Sequence, residues 1–143
     1  MEKKKSVLFI CVHNSGRSQM AEAFLRESAG DRFDVESAGL EPREINNLVI
    51  QVMKEMNIDI SENTSDSVFD FYKKGRLYDY VITVCDESIE SQCPIFPGIT
   101  RRLHWSFPDP SSVSGTDEEK LSKVRKIRDN IQNRITTWLN TLA

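Results

Sequence analysis

The sequence has little of what would mark several other classes of protein. Its 143 residues include only three cysteines, a small and odd number that argues against a framework of structural disulfides. No apolar run is long enough to span a bilayer, and a net charge of −3 argues against a nucleic-acid or anionic-membrane partner. The short apolar run after the first lysines passes into polar residues without the cleavage site of a signal peptide. We therefore expect a cytoplasmic protein.

The order of the predicted elements indicates an α/β fold. The continuous apolar run at 6–11 is typical of a strand buried on both faces of a parallel sheet. Apolar residues at helical spacing then predict a helix at 18–29. Further strands are predicted at 33–37, 78–85 and 101–107, and further helices around 48–56, at 65–74 and from Thr116 onward. We expect one domain over residues 1–143, with a three-layer α/β/α arrangement around a mainly parallel four-stranded sheet.

Two of the cysteines fall where such a fold binds its ligands. Ligands of parallel α/β sheets sit at the carboxyl ends of the strands. Cys11 ends the first predicted strand and Cys85 ends the strand at 78–85. The two thiols are therefore expected at the same edge of the sheet. The helix at 65–74 is predicted because Val68, Phe69 and Tyr72 would share one of its faces.

The segment between the first strand and the first helix predicts an oxyanion-binding loop with a cysteine nucleophile. Successive backbone N–H groups in a tight loop form an anion nest, and the helix N-terminus adds its dipole. Arg17 supplies a planar fork for a tetrahedral anion, and the same field favours a thiolate at Cys11. Gly16 permits unusual backbone angles and Asn14 tolerates the left-handed region. The alternative is a buried thiol at a strand end followed by a simple turn. The predicted substrate-binding residues are Val12, His13, Asn14, Ser15, Gly16, Arg17 and Ser18.

With these residues in place, the sequence resembles the low-molecular-weight protein tyrosine phosphatase superfamily. Within it, the closest resemblance is to the arsenate reductases that thioredoxin regenerates. The resemblance covers nearly the whole chain. It rests on Cys11–Arg17 with Ser18-Gln19-Met20-Ala21-Glu22, Ser37-Ala38-Gly39, Ile60-Ser61, Thr64-Ser65-Asp66, Cys85, Cys93-Pro94, His104-Trp105 and Asp109-Pro110.

The resemblance gives Asp109 a catalytic role. Alone, an Asp between two prolines is more often a turn residue. Its position matches the catalytic aspartate of the family, which protonates the oxygen leaving the tetrahedral centre. Tyrosine phosphatases of this fold follow that Asp-Pro with a tyrosine that packs on the aryl substrate. Here Ser111 and Ser112 follow instead, which counts against a phosphotyrosine substrate.

Cys85 and Cys93 are not required for phosphatase chemistry. Their spacing of eight residues is poor for zinc, and two unrelated buried thiols are the simpler alternative. A thiol relay needs a nucleophile, a second thiol to attack it and a third to resolve the product. Eight helical residues span about 12 Å, whereas the Cα atoms of a disulfide lie within about 7 Å. We therefore expect the segment between these cysteines to change shape on oxidation.

The resemblance implies a full reaction with arsenate as substrate. Cys11 attacks arsenate held by the loop and Arg17, while Asp109 donates a proton and Ser18 helps to hold the thiolate. Cys85 then attacks Cys11 and releases arsenite, and Cys93 resolves that bond to leave Cys85–Cys93 for thioredoxin. No redox cofactor is required, and we expect a monomer.

The resemblance also implies a potassium site beside the loop. Its oxygen donors suit a hard cation, although a polar network that braces the loop is the simpler interpretation. The matching residues are Asn14, Glu22, Ser37 and Asp66.

Three alternatives remain open at this point. The first is a phosphatase acting on phosphoesters, for which Cys11, Arg17 and Asp109 suffice. The second, from another class, is a non-enzymatic redox or oxyanion sensor. The third keeps the reductase but replaces thioredoxin with glutathione and glutaredoxin, and Cys93 as a resolving thiol favours thioredoxin.

Overall fold

The computed structural model describes residues 3–85 and 92–142. The strands and helices follow one another in the expected order. They are β1 (Lys5–Cys11), α1 (Arg17–Ala29), β2 (Phe33–Gly39), α2 (Asn47–Lys54), α3 (Val68–Lys73), β3 (Tyr80–Thr83), β4 (Arg101–His104), a short 3-10 helix (Pro110–Ser112) and α4 (Asp117–Thr141).

The four strands form one parallel sheet in the order β2-β1-β3-β4. The apolar run of β1 lies at the centre, and the four residues from Val7 to Ile10 are fully buried. A strand covered on both faces needs apolar side chains at every position, which explains why apolar and polar residues do not alternate in this run. The expected α/β fold with a parallel four-stranded sheet is confirmed.

Helices α1 and α4 cover the sheet and set its core. Helix α1 packs on β1 and β2, and α4 packs on α1 and α2. Trp138 of α4 lies in edge-to-face contact with Tyr80 and Trp105, with ring centroids 5.1 and 5.8 Å apart. The start of α4 is fixed by a capping box in which Thr116 and Glu119 satisfy each other's backbone N–H groups. The ring contacts of Trp138 join α4 to the sheet.

Some predictions from the sequence differ from the structure, among them the strand predicted at 101–107, which ends at His104. The apolar run extends from 78 to 85, but strand β3 covers only Tyr80–Thr83. The residues at both ends of the run are buried without pairing to a neighbouring strand, so burial alone does not mark the limits of the strand. Of the three residues expected to share a face of α3, Val68 is fully buried. Phe69 and Tyr72 are 40% and 45% exposed, whereas Phe71 is buried under the Arg76 guanidinium, 4.2 Å from the ring centroid.

The longest helix is α4, and its exposed face is strongly charged. Within residues 3–85 and 92–142, no helix combines the length and the apolar character needed to cross a membrane.

Candidate active site

Cys11 is the last residue of β1 and lies at the carboxyl edge of the sheet. The register pairs Cys11 with Gly39 of β2 and pairs Ile10 with Thr83 of β3. Cys85 follows two residues after Thr83, so it leaves the sheet at the same edge as Cys11. The sequence-based expectation that both cysteines lie at one edge is therefore met.

The sulfur of Cys11 is buried and accepts hydrogen bonds from two groups. The backbone N–H of Asn14 donates to Sγ at 3.0 Å, and the hydroxyl of Ser18 lies 2.9 Å from Sγ. The side-chain amide of Asn14 donates to the Ser18 oxygen at 2.7 Å, which leaves the Ser18 hydroxyl proton directed to the sulfur. The two contacts fix the position of the sulfur at the base of the loop.

The orientation of the Asn14 amide follows from its partners. The backbone N–H of Asp66 can only donate, and it lies 2.9 Å from Asn14 Oδ1, so the opposite atom of the amide is the NH₂ group. Asn14 also has a backbone φ of 52°, in the left-handed region that asparagine tolerates. This confirms the conformation expected for Asn14.

Gly39 allows β2 to pass directly beneath the loop. A Cβ atom at this position would lie 2.8 Å from Asn14 N and 2.9 Å from both His13 C and Val12 O. Any side chain would collide with the loop backbone. The chain after Gly39 then runs along the loop. It donates from Leu40 to Cys11 O at 3.3 Å, from Glu41 to Val12 O at 2.8 Å and from Arg43 to His13 O at 3.0 Å.

Gly16 has a spatial role in the loop. Its φ of −151° is not in the left-handed region. A Cβ atom here would lie 3.3 Å from Pro110 Cγ and 3.4 Å from Val49 Cγ2. The glycine therefore lets the segment that carries Asp109 lie against the loop. Its ψ of −84° places Gly16 outside the helical and extended regions, as expected, and the close approach of Pro110 is a second requirement.

Arg17 joins the loop to the segment that carries the predicted acid. Its Nη1 donates to the carbonyl of Phe107 at 3.0 Å, and its Nη2 lies 4.0 Å from Asp109 Oδ2. The Arg17 side chain is only 4% exposed, while that of Asp109 is 24% exposed. A buried guanidinium held beside a solvent-reachable carboxylate places a fixed positive charge and an oxygen donor set at one cavity.

The cavity above Cys11 is small and polar. Of the predicted substrate-binding residues, His13, Ser15, Gly16 and Arg17 line it, whereas Val12, Asn14 and Ser18 do not. Asn14 and Ser18 act on the sulfur instead. The remaining lining residues are Cys11, Asn46, Asp109, Pro110 and Ser111. A hydrogen bond of 2.9 Å between Nδ1 and the carbonyl oxygen of Glu41 fixes the orientation of the His13 ring.

The three cysteines are present as thiols, and all three are buried. Cys85 is fully buried behind the end of β3, and Cys93 is 7% exposed. The change of shape expected between these two cysteines falls on residues 86–91, which lie outside the described residues. It therefore stays a prediction.

The residues expected to hold potassium form a connected polar network below the loop. Asn14 donates to Ser37 Oγ at 2.9 Å, and Ser37 donates to Glu22 Oε1 at 2.5 Å. The other Glu22 oxygen accepts from Arg26 at 2.5 Å. Asp66 contributes its backbone N–H to Asn14. In the part of the chain that the structure describes, His, Cys, Asp and Glu side chains form no cluster of three or more suited to a metal ion.

Two residues without a predicted role brace the loop from outside. The fully enclosed amide of Gln19 donates to Asn14 O at 3.2 Å and to Thr64 O at 3.1 Å. The hydroxyl of Ser65 donates to Asn14 O at 3.0 Å. Gln19 carries a sequence signal, because a glutamine among the apolar residues of α1 must find buried partners. Ser65 carries none, since it is one polar residue in a polar stretch.

Comparison with known proteins agrees with this arrangement of strand, loop and helix. The family model for low molecular weight phosphotyrosine protein phosphatase matches residues 6–143. An arsenate reductase of Halalkalibacterium halodurans is 43% identical over 139 residues, which cover 96% of this chain and 97% of the relative.

Two solved structures share the fold closely. An arsenate reductase in its oxidized state superposes with a TM-score of 0.80 at 30% identity, covering 97% of this chain and 99% of the other. A thioredoxin-dependent arsenate reductase from Corynebacterium glutamicum gives a TM-score of 0.74 at 34% identity, covering 98% of this chain and 62% of the other.

A buried thiol under an anion-binding loop at the carboxyl edge of a parallel sheet defines a class of enzymes that attack oxyanions through cysteine. Within that class, the chain belongs to the low molecular weight phosphotyrosine protein phosphatase family.

Proposed function

We propose that this protein is a cytoplasmic arsenate reductase that converts arsenate to arsenite through three cysteines and is regenerated by thioredoxin. The observation that carries the proposal is the position of the cysteines. Cys11 ends β1 inside the anion loop, and Cys85 leaves the neighbouring strand at the same edge. Similarity to proteins named arsenate reductase over nearly the full chain supports it.

In the first step, Cys11 is the nucleophile. Its thiolate, stabilised by Asn14 N–H and the Ser18 hydroxyl, attacks the arsenic atom of arsenate. The loop N–H groups and Arg17 hold the remaining oxygens. Asp109 donates a proton to the departing oxygen, which leaves as water. The product is a Cys11–arsenic(V) adduct.

In the second step, the electrons move from sulfur to arsenic. The Cys85 thiolate attacks Cys11 Sγ, the sulfur–arsenic bond breaks, and its electron pair stays on arsenic, which leaves as arsenite. Two thiol sulfurs are oxidised to a disulfide as arsenic(V) is reduced to arsenic(III). The Cys93 thiolate then attacks Cys85, which releases Cys11 and leaves a Cys85–Cys93 disulfide.

The surface beside Cys93 supports a protein as the reductant. Ile95 and Ile99 are 77% and 98% exposed, and Leu77, 63% exposed, lies against the same segment near Gly98. A reductant must bring its own sulfur into contact with this disulfide, so it must approach the segment that carries Cys93 and Ile95. Exposed apolar side chains grouped in this way are typical of a protein contact.

This docking surface can be tested with one variant. Ile95→Ser should raise the KM for thioredoxin several-fold, while reduction by the small dithiol dithiothreitol stays unchanged. Leu142→Ser, which removes an exposed apolar side chain at the opposite end of the sheet, is the matched control. An unchanged KM for thioredoxin in Ile95→Ser would contradict docking at this surface.

The main experiment is an arsenate reduction assay on the wild type and the three single Cys→Ser variants. Each is supplied with thioredoxin and its reductase, or with glutathione and glutaredoxin. We expect multiple turnovers with thioredoxin in the wild type only. Multiple-turnover arsenite release also excludes a sensor without enzymatic activity. Normal turnover in both Cys85→Ser and Cys93→Ser would show that the relay is wrong.

A phosphoester phosphatase is the second candidate, because the family model carries that activity in its name. Cys11, Arg17 and Asp109 would suffice for it. Cys85→Ser separates the two functions, since it should abolish arsenate turnover and leave hydrolysis of an aryl phosphate largely intact. Strong phosphatase activity with no arsenate turnover in the wild type would favour this candidate.

We also propose a potassium ion beside the loop, held by Asn14, Glu22, Ser37 and Asp66. Carboxylate, hydroxyl and amide oxygens suit a hard cation. Hydrogen bonds already join Asn14 to Ser37 and Ser37 to Glu22. The ion would supply positive charge that fixes the loop. A higher Tm in KCl than in NaCl, lost in Glu22→Gln, is expected. Equal Tm values in both salts would contradict the ion and leave the network as a brace.

A further inference from the structure

The carboxylate of Asp109 is held unevenly by the short helix that follows it. Oδ1 accepts the backbone N–H of Ser111 at 2.9 Å and the Ser111 hydroxyl at 2.8 Å. Among the described residues, Oδ2 has a long contact of 3.5 Å with the Ser112 hydroxyl and lies 4.0 Å from Arg17 Nη2. The oxygen that faces Arg17 is therefore the one with fewer hydrogen bonds to the described residues.

This difference decides where a proton can reside. A carboxylate oxygen offers about two lone-pair sites, and both sites on Oδ1 are taken by donors. The backbone N–H of Ser111 can only donate, so a proton on Oδ1 would force the Ser111 hydroxyl to turn away. A proton on Oδ2 costs no such bond. The bonds from Ser111 thus direct the acid proton to Oδ2, on the side of Arg17.

We propose that Ser111 is a positioning residue that orients the Asp109 carboxyl so that its proton faces the bound oxyanion. This inference rests on the proposed role of Asp109 as the proton donor. The backbone N–H bond alone would close the turn. The hydroxyl adds a second bond to the same oxygen, and this bond fixes which carboxyl oxygen carries the proton.

The size of the effect follows from the hydroxyl bond. One neutral hydrogen bond contributes roughly a 3- to 10-fold effect in an equilibrium or a rate. Ser111 lies at the surface, where water competes for the same acceptor, so a larger effect is not expected. Arsenate itself is held by the loop and Arg17, so its binding should change little.

The experiment measures the single-turnover rate of arsenite release from reduced enzyme at saturating arsenate, without thioredoxin. Ser111→Ala should lower this rate roughly 3- to 10-fold, with the half-saturating arsenate concentration unchanged within about twofold. Ser111→Thr, which keeps the hydroxyl, should restore most of the rate. Ser114→Ala, in the same exposed segment, is the matched control and should match the wild type.

A double-mutant cycle shows whether Ser111 acts through Asp109. In the Asp109→Asn background, Ser111→Ala should cause no further loss, because the acid it orients is gone. A full additional loss in that background, or a wild-type rate in Ser111→Ala, would overturn the proposal while Asp109 kept its role. A wild-type rate in Asp109→Asn would instead show that Asp109 is not the proton donor, and would contradict the proposed first step.

Discussion

Replacing Gly39 with alanine should damage the active site without touching a group that reacts. The new methyl carbon would lie 2.8 Å from Asn14 N and 2.9 Å from His13 C and Val12 O, where ordinary contacts begin at 3.4 Å. All three neighbours are backbone atoms, so the loop must move by about half an ångström or more. Asn14 N is also a donor to the Cys11 sulfur.

The magnitude follows from this displacement. Overpacking of this kind costs roughly 1–3 kcal/mol of stability, and a misplacement near 1 Å at reacting groups costs up to about 100-fold in rate. We therefore expect Gly39→Ala to remain folded with a lower Tm and to lose roughly 10- to 100-fold in kcat/KM for arsenate.

The matched control is Gly75→Ala. Gly75 has a φ of +72° and open space around its Cα, so alanine there strains the backbone without touching the loop. It should lower the Tm and leave kcat/KM per folded molecule unchanged. A wild-type kcat/KM in Gly39→Ala would refute the claim that the position of the loop backbone controls the reactivity of Cys11.

Three other outcomes are expected. Arg125 and Arg128 hold the pKa of Glu55 below its usual 4.5, so its contribution to stability is present above that pH and is lost as the pH falls through the lower folded-state pKa. The Tm difference between the wild type and Glu55→Gln should therefore shrink in acid, and a constant difference would contradict the ion pairs. Thr116→Ala removes the N-cap of α4 and should lower the free energy of unfolding in urea by about 1 kcal/mol. An unchanged urea midpoint would show that the cap does not stabilise the fold. Hydrogen exchange over 85–94 should differ between the reduced and oxidised protein, and identical exchange would rule out the expected change of shape.

The positions of the strands could be predicted because each apolar run marks burial. β1 and β2 lie where the sequence predicts them. The limits of β3 could not be predicted, since Tyr78 and Cys85 are buried but lie outside the ladder. Burial within α3 could not be predicted for a related reason. A six-residue helix is too short to define an apolar stripe, and stacking of Arg76 on Phe71 decides which ring is covered.

The thiol loop could be predicted, but the contacts that hold it could not. Cysteine, glycine and arginine at their spacing indicate an oxyanion site. Asp66 fixes the Asn14 amide from 52 residues away, and Gly39 passes beneath the loop from the neighbouring strand. Such contacts depend on how distant segments meet in the fold, and no local pattern carries them.

The central claim is that Cys85 reduces the Cys11–arsenic adduct, and the Cys93→Ser variant tests it most directly. This variant should stop after the second step when reduced enzyme is mixed with arsenate. Mass spectrometry of the digested protein should then find a Cys11–Cys85 disulfide, and arsenic speciation should find one arsenite per protein. Continued turnover in this variant, or arsenite without that disulfide, would contradict the relay.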